Sequence, residues 1–479
     1  MNVRDLEPKI VWNHFSDLNA VPRPSKKEER VIKFMQDFGA KLALDTYTDA
    51  IGNVIIKKPA TAGMEDRQTV IIQSHLDMVH QKNSDTNFDF DTQGIKMYVD
   101  GDWVRANGTT LGADNGMGVA AIMALLSSDD IAHPTIEALF TIDEETGMTG
   151  AMELEKGLLK GTILLNLDTE DDDEFSIGCA GGIDTNTTYK YAQESVIAGS
   201  QTYNIIVNGL NGGHSGVQIN EELGNANKIM NRLMYGCEDY NLQIINVDGG
   251  SLRNAIPRES FATIAASPAY LEELEQRTQA IKEEYSIQDP NLSIRVEATS
   301  QADKAMSLED TKKVTTALYA VHNGVFRYSR AIEGLVETSS SLARVIVKEG
   351  EFITQSLQRS SLESGKYDVA YTVAAPFYLM GCEVQQKGDY PGWSPNPTSP
   401  ILDILVAKYK ELFNNEEPKV MAIHAGLECG LLGKRYPGLD MISFGPTIKG
   451  AHSPDERCGI KSTAKFWMFL KEILANVPK

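Results

Sequence analysis

The feature that most constrains this chain is a repeated layout in which an apolar run ends in a histidine or an acidic residue and then in a turn former. The residues placed in this way are His75, Asp77, Asp114, Glu144, Glu145 and Asp168. The carboxyl ends of parallel strands meet at one edge of a sheet, and ligands bind there. The layout therefore predicts that these side chains gather at a single sheet edge.

Strand-like and helix-like segments alternate through the first third of the chain. The strand-like runs cover residues 53–57, 69–73, 135–141 and 162–167, and the clearest helical pattern covers 116–127. A further helix is expected from Ser25, a candidate N-cap, to about Ala40. This alternation predicts an α/β domain with a largely parallel central sheet flanked by helices.

The pattern changes between residues 184 and 390, where antiparallel-type strands mix with helices, and a Pro-rich linker follows at 389–400. The α/β alternation then resumes. We therefore predict a catalytic domain in two parts, 1–183 and 391–479, interrupted by an inserted α+β lid domain at 184–390 that serves substrate binding or dimerisation. Such an insertion explains why His452 lies so far along the chain from the other candidate ligands.

The charge and the cysteines exclude several classes of protein. A net charge of -21 and a pI near 4.9 argue against nucleic acid or an anionic membrane as the main partner. The chain has neither an N-terminal signal-like segment nor an apolar run of the roughly 18 residues that a membrane span needs. Five dispersed cysteines indicate reduced thiols in a cytoplasmic protein and argue against a thiolate zinc site.

Histidine nitrogen and carboxylate oxygen suit zinc and similar divalent ions, and two-metal hydrolases hold their ions about 3.5–4 Å apart. His75 and Asp77 point to one face of an extended strand, so Asp77 can orient the imidazole. Each motif also has an ordinary explanation, such as a helix cap for Asp114 or a solvated turn for the paired glutamates. Those explanations lose weight because five segments converge on one predicted edge.

The motifs resemble those of the co-catalytic zinc peptidase family that includes aminoacylase, carboxypeptidase G, succinyl-diaminopimelate desuccinylase and bacterial di- and tripeptidases. The resemblance spans essentially the whole chain, through the motifs above and through N-G-G-H-S-G, R-N-A-I-P-R-E, Q-S-L-Q-R-S-S, H-A-G-L-E-C-G and G-A-H-S-P-D-E. It implies two divalent metal ions, foremost Zn²⁺, although Mn²⁺ and Co²⁺ suit the same ligands. It also implies a cis peptide bond after Asp114.

The resemblance assigns the metal ligands residue by residue. It implies that His75 and Asp168 bind one ion, that Glu145 and His452 bind the other, and that Asp114 bridges the two. These five residues are the expected metal ligands.

The resemblance and the residue types also suggest catalytic and substrate-binding roles. Glu144 is implied as the general base, Asp77 as the support of His75, and His214 as a donor to the oxyanion. Arg359 is the candidate for the substrate carboxylate because a guanidinium binds a carboxylate in bidentate fashion. The remaining substrate-binding candidates are Asn254 for the same end, and Glu428 and His424 for the amino end.

We expect a metal-dependent dipeptidase that hydrolyses unblocked dipeptides, Xaa-His such as carnosine among them, with a water that a glutamate activates. One alternative is a metal-dependent amidase of N-acyl amino acids, which would require an apolar acyl pocket in place of an acidic residue that binds the amine. Another is a catalytically silent binding protein, against which the presence of Glu144 and Asp114 argues. The sequence leaves open whether the chain is a monomer or a homodimer, and whether His214 acts within its own chain or across a dimer.

Overall fold

The computed structural model describes residues 2–479. The chain divides into two compact units. The first unit comprises Met1–Gly178, Pro395–Ala422 and Leu427–Lys479, and the second comprises Cys179–Ser394 and Ile423–Gly426. Among the described helices, none combines the length and the apolar character that a membrane span requires.

The strands are numbered in chain order. The first eight are β1 (Asp45–Thr48), β2 (Val54–Lys58), β3 (Val70–His75), β4 (Met97–Asp100), β5 (Trp103–Ala106), β6 (Ile136–Thr141), β7 (Ile163–Asn166) and β8 (Glu174–Cys179). The next are β9 (Gly181–Lys190), β10 (Gln193–Ser195), β11 (Gln201–Asn208), β12 (Gly213–His214), β13 (Gln243–Gly249), β14 (Ala255–Ile256), β15 (Ser260–Ala266), β16 (Ser293–Ala298), β17 (Lys304–Met306), β18 (Gly324–Tyr328), β19 (Val336–Lys348), β20 (Glu351–Ser360) and β21 (Glu383–Tyr390). The last are β22 (Lys419–Ile423), β23 (Asp440–Ser443), β24 (Ile448–Lys449) and β25 (Arg457–Gly459).

The α-helices are α1 (Lys9–Asn19), α2 (Glu29–Lys41), α3 (Ala113–Ser127), α4 (Glu144–Gly147), α5 (Thr149–Glu153), α6 (Ala226–Met234), α7 (Tyr270–Glu284), α8 (Leu308–Ala320), α9 (Glu363–Met380), α10 (Pro400–Leu412), α11 (Glu428–Arg435) and α12 (Ile460–Ala475). Short 3₁₀ helices cover Val3–Asp5, Ile219–Glu221 and Glu238–Tyr240.

The first unit is built on a sheet with the strand order β1-β2-β6-β3-β7-β23-β8-β22. Its central strands β6, β3, β7 and β23 run parallel, whereas β2 and β8 join antiparallel on either side. The predicted α/β fold with a largely parallel sheet is confirmed. β3, β6 and β7 are buried along their whole length, as expected for parallel strands that are covered on both faces.

The ends of these strands bring the polar motifs to one edge. β3 ends at His75, β6 ends at Thr141 shortly before Glu144, and β7 ends at Asn166 shortly before Asp168. Helix α3 packs closely at the same edge. A methyl group on Gly118 would lie 2.4 Å from the Ser74 hydroxyl oxygen, so only glycine permits this approach.

One local expectation for this unit was wrong. Helix α2 begins at Glu29, and the Ser25 hydroxyl does not cap it but donates to Asp77 Oδ2 at 2.8 Å. The acidic and glycine-rich stretch after Asp168, for which no element was predicted, contains β8 and leads into β9 of the second unit. Strand pairing is decided by a distant partner, so a stretch of acidic residues and glycine gives little local indication of it.

The second unit is an α+β fold around a nine-stranded sheet with the order β16-β11-β15-β13-β19-β20-β9-β21, with β18 paired to β19. The described pairings in this sheet are antiparallel. Apolar side chains of its strands and of helices α6 to α9 form one buried core. A separate two-stranded ladder pairs β12 with β14 and places His214 opposite Ala255.

Candidate metal centre

The predicted bridging residue, Asp114, lies between two histidines. Its Oδ1 is 3.3 Å from His75 Nε2, and its Oδ2 is 3.2 Å from His452 Nε2. His75 Nε2 is also 3.5 Å from Asp168 Oδ1, and His452 Nε2 is 3.0 Å from Glu145 Oε2. Each oxygen of one carboxylate therefore faces a different group of ligands, which is the arrangement of a bridging ligand.

The spacing of these atoms fits divalent cations. A tetrahedral zinc site with bonds of about 2.0–2.1 Å separates neighbouring ligand atoms by about 3.3–3.4 Å. The contacts that His75 and His452 make with the carboxylates lie between 3.0 and 3.5 Å. Glu145 Oε1 is buried and has no hydrogen-bond partner within residues 2–479, so a cation would complete its environment.

The pKa shifts of the two histidines also fit a site for divalent cations. Burial alone would lower the pKa of His75, but its carboxylate neighbours, Asp168 foremost, raise it well above the ordinary value. Hydrogen bonds to Asp114 and Glu145 raise the pKa of His452 to about 11. The carboxylates therefore favour positive charge at the positions of both imidazoles. Divalent cations would supply that charge and leave the imidazoles neutral, as metal ligands must be.

The peptide bond between Asp114 and Asn115 is cis, as the resemblance implies. The Asn115 side chain donates a hydrogen bond from Nδ2 to Asp168 Oδ1. A residue that had no predicted role therefore links the bridging residue to a second candidate ligand.

Asp77 contacts other parts of the site in addition to the imidazole of His75. Its Oδ1 lies 3.4 Å from His75 Nδ1, and the same Nδ1 lies 3.2 Å from the backbone carbonyl of Asp77. The carboxylate also accepts the backbone N–H of Glu144 at 3.0 Å and that of Glu145 at 3.3 Å, and the Ser25 hydroxyl at 2.8 Å. Asp77 therefore ties the end of β3 to the turn that carries the expected base.

Glu144 begins helix α4 beside these ligands. Burial raises its pKa well above the ordinary value; His75 opposes this rise, and the surrounding carboxylates add to it. A carboxylate with a raised pKa releases and regains a proton more readily near neutral pH.

Glu428 is a buried carboxylate at the start of α11 in the first unit. Its Oε2 accepts from Gln73 Nε2 at 2.6 Å and from the Thr141 hydroxyl at 2.7 Å. Its Oε1 has no partner among the residues that the structure describes. Burial raises the pKa of Glu428 to about 7.

Arg359, in β20 of the second unit, is a buried cation with neutral polar groups beside its two Nη atoms. It is 4% exposed. Its Nη1 donates to the Tyr390 hydroxyl at 3.0 Å, and its Nη2 lies 3.5 Å from His214 Nε2. Its Nε has no hydrogen-bond partner in the described part of the chain. A buried guanidinium with free donors is suited to an anionic ligand.

The ring of His214 is held in one tautomer. Its Nδ1 accepts the backbone N–H groups of Gly216 at 3.2 Å and of Val217 at 3.1 Å. Burial and then the charge of Arg359 lower its pKa to about 4. The neutral ring therefore carries its hydrogen on Nε2, which faces the same space as the Arg359 guanidinium and can donate to an anion there.

His424 belongs to the second unit, near Arg359 and His214. Its Nε2 lies 2.7 Å from the Ser339 hydroxyl, and its ring donates to the carbonyl of Val336. Burial, followed by the charge of Arg359 and the effect of His214, lowers its pKa to about 3.

The five expected metal ligands and Glu144 lie together in the first unit, whereas His214, Arg359 and His424 lie together in the second. Asn254 is exposed next to β14, and its carbonyl accepts the N–H of Ser215, so it lies beside the His214 ladder. The two residues expected to bind the substrate amino group belong to different units, Glu428 to the first and His424 to the second. The individual roles of all these residues stay predictions.

Several polar residues of the site received no functional prediction. They share one property, which is that their partners are distant in sequence, and they are Arg23, Ser25, Gln73, Asn115, Thr141, Ser339, Tyr390 and Glu456. The D-E that follows His452 in G-A-H-S-P-D-E was the one local signal for Glu456.

Comparison with known proteins gives consistent results. The sequence pattern of Peptidase family M20/M25/M40 matches residues 71–476. The chain is 41% identical over 478 residues to the cytosol non-specific dipeptidase of Escherichia coli (strain K12), covering 99% of this chain and 98% of that protein.

Solved structures extend the comparison. The aminoacylhistidine dipeptidase from Vibrio alginolyticus superposes with a TM-score of 0.94 at 41% identity, covering 100% of this chain and 99% of that one. The aminopeptidase PepT from Bacillus cereus ATCC 10987 superposes with a TM-score of 0.57 at 16% identity, covering 98% and 99% of the two chains, which is a likeness of fold alone.

Proposed function

Because the chain belongs to Peptidase family M20/M25/M40, we propose that it is a dinuclear-metal dipeptidase that hydrolyses unblocked dipeptides, Xaa-His such as carnosine among them. The observation that carries the proposal is the Asp114 carboxylate, whose two oxygens face two different histidines. The likeness to a cytosolic dipeptidase along nearly the whole chain supports the choice of dipeptides as substrates and a cytoplasmic location.

The residues that would hold the two ions follow from these contacts. His75 and Asp168 would bind the first, Glu145 and His452 the second, and Asp114 both. Three carboxylates against two divalent cations leave about one positive charge. Bound ions would supply Lewis-acid chemistry for the scissile carbonyl and the attacking water. Zn²⁺ is the first candidate, and Mn²⁺ and Co²⁺ suit the same ligands.

Glu144 would move the proton. Its neighbour Glu145 would bind a metal ion. Because Asp77 accepts the backbone N–H groups of both Glu144 and Glu145, the turn keeps the base and the metal ligand in fixed relative positions. The Glu144 carboxylate would accept a proton from the attacking water and deliver it to the leaving amine.

The cluster of His214, Arg359 and His424 in the second unit would recognise the charges of the substrate and of the transition state. We assign the substrate carboxylate to Arg359, with Asn254 at the same end, and the developing oxyanion to the Nε2–H of His214. The support for these assignments is the free Nε of Arg359 and the fixed tautomer of His214.

Glu428 is proposed to bind the substrate amino group, because an ammonium would supply the donor that Oε1 lacks. The side chain has no exposed surface, so this contact requires a local opening. For His424 we propose an indirect role beside Arg359, since both of its ring nitrogens are already hydrogen bonded.

The test compares Glu144→Gln with wild type. We expect the variant to bind Zn²⁺ normally and to lose about 10²–10⁴ in kcat, as for a general base. Glu153→Gln, an exposed substitution nine residues along the same segment, is the control. Near-normal turnover by Glu144→Gln would contradict the assignment of the base.

A substrate comparison separates the dipeptidase from the alternatives. β-Ala-His should be hydrolysed faster than N-acetyl-His, because only the dipeptide has an amino group for a carboxylate to bind. Faster turnover of N-acetyl-His would favour an amidase, and turnover of neither compound would favour a binding protein.

A further inference from the structure

Glu456 holds the backbone that leads to the bridging ligand. The side chain is 2% exposed. Its Oε2 accepts the N–H of Leu111 at 2.7 Å and that of Gly112 at 2.9 Å. Its Oε1 accepts the N–H of Ala113 at 2.7 Å and that of Asp114 at 3.2 Å. Four successive N–H groups are thus bound by one carboxylate, so this segment cannot rotate without losing several charge-assisted hydrogen bonds.

Arg23 holds the same segment from its carbonyl side. The side chain is 1% exposed, and its Nη2 donates to the carbonyl of Gly112 at 2.5 Å. Its Nη1 donates to the carbonyls of Leu76 at 3.0 Å and Asp77 at 3.1 Å, directly after His75. One guanidinium therefore joins the chain that carries the first histidine to the chain that carries Asp114.

Two glycines of the L-G-A-D-N-G-M-G motif leave the room that this guanidinium needs. A methyl group on Gly112 or on Gly116 would lie 2.6 Å from Arg23 Nη2. The glycines on either side of Asp114 are therefore explained by the approach of Arg23, and not only by the turn.

We propose that Arg23 and Glu456 are positioning residues that fix Asp114 between the two ion positions. Glu456 lies four residues after His452 and Arg23 binds the chain after His75, so the pair links the bridging residue to the segments of both histidines. The pair would thereby keep one Asp114 oxygen at each ion position. The inference rests on the proposed metal site, and it concerns residues that touch no candidate substrate.

The experiment uses the full-length protein, stripped of metal and titrated with Zn²⁺ against a competing chromogenic chelator. Glutamine at position 456 has a single acceptor oxygen and a new NH₂ donor, so Glu456→Gln leaves part of the N–H row unbound. Arg23→Lys keeps the charge and loses the forked donors. We expect each variant to bind the more weakly held Zn²⁺ about 10–100-fold less tightly, as is typical when the partner of a metal ligand is lost.

Glu137→Gln is the matched control because it removes a similar carboxylate from the same unit. Glu137 is 2% exposed. Its Oε2 accepts the N–H of Lys160 at 2.7 Å and that of Gly161 at 3.0 Å, and its Oε1 accepts Lys57 Nζ at 3.0 Å. This control should lower the melting temperature of the stripped protein and leave the Zn²⁺ affinity unchanged.

The outcomes separate positioning from general stabilisation. If Glu456→Gln and Arg23→Lys both bind Zn²⁺ as tightly as wild type, or lose no more affinity than Glu137→Gln, the positioning role is overturned. The proposed function is not affected by that result. Wild-type protein that binds fewer than two Zn²⁺ ions would overturn the proposed function as well. If Glu456→Gln does not fold, Arg23→Lys decides the question by the same titration.

Discussion

Replacement of Arg359 by methionine should separate substrate recognition from stability. The guanidinium is 4% exposed; its Nη1 donates to the neutral Tyr390 hydroxyl, and its Nη2 lies 3.5 Å from Nε2 of the neutral His214 ring. Asp184 interacts with this charge but is paired with Arg253, so the guanidinium is only partly compensated, which is costly to the free protein. The same charge becomes favourable when a substrate carboxylate binds to it.

The magnitudes follow from this difference. Charge-assisted hydrogen bonds contribute about 1.5–3 kcal/mol each, and about 1.4 kcal/mol corresponds to a tenfold change in rate. Loss of one to two net bonds should lower kcat/KM for a dipeptide by about 10-fold to 10⁴-fold. Methionine fills much of the volume without the charge, so the free energy of unfolding should stay constant or rise by about 1 kcal/mol.

The assay measures kcat/KM for β-Ala-His and for its C-terminal amide, together with thermal unfolding. The amide carries no carboxylate, so Arg359→Met should slow it far less than the free dipeptide. Arg344→Met is the control, because Arg344 lies in the same unit and pairs with Asp248 at 2.5 Å.

Two results would refute this reasoning. Equal losses for the dipeptide and its amide would show that Arg359 does not bind the carboxylate. A clear fall in the stability of Arg359→Met would show that the guanidinium is compensated in the free protein.

Two further substitutions test the remaining features. The pKa of His424 is lowered from 6.5 to about 3 in the native protein. As the pH falls below 6.5, the unfolded chain takes up a proton at this residue and the native protein does not. The free energy of unfolding therefore decreases as the pH falls from 6.5 to about 3. Between pH 7 and pH 5 this decrease is about 2 kcal/mol. In denaturant unfolding, the free energy of unfolding of His424→Gln should therefore decrease by about 2 kcal/mol less than that of wild type over this pH range. An equal decrease in both proteins would contradict the lowered pKa. Asp77→Ala leaves the N–H groups of Glu144 and Glu145 without their acceptor and should lower the free energy of unfolding by about 2–4 kcal/mol and Zn²⁺ affinity at least about tenfold. Loss of metal affinity at unchanged stability would limit Asp77 to the support of His75.

The amino-acid sequence was sufficient for the elements whose signal is local. β3, β6 and β7 are rich in apolar residues and buried on both faces, and such strands are typical of the middle of a parallel α/β sheet. Their carboxyl ends carry polar motifs, so the approach of His75, Glu145 and Asp168 to one edge could be expected from chain order and residue type.

Local patterns were ambiguous where one residue type serves two purposes. A serine before a helical pattern can cap the helix or bind a distant group, and Ser25 binds Asp77. His424 and Glu428 occur in one short motif, yet they belong to different units and have different partners. Neighbours in sequence therefore gave no guide to neighbours in space.

By itself, the sequence determined the sheet, the identity of the side chains at its edge and the family, because periodicity and residue type act over a few residues. Only the tertiary structure decided how Asp114 divides its two oxygens between His75 and His452, and which residues hold it there. Several of those contacts join segments more than 300 residues apart, and the contacts of Glu456 are with backbone N–H groups. Every residue except proline carries such a group, so no pattern of side chains reveals which carboxylate will bind it.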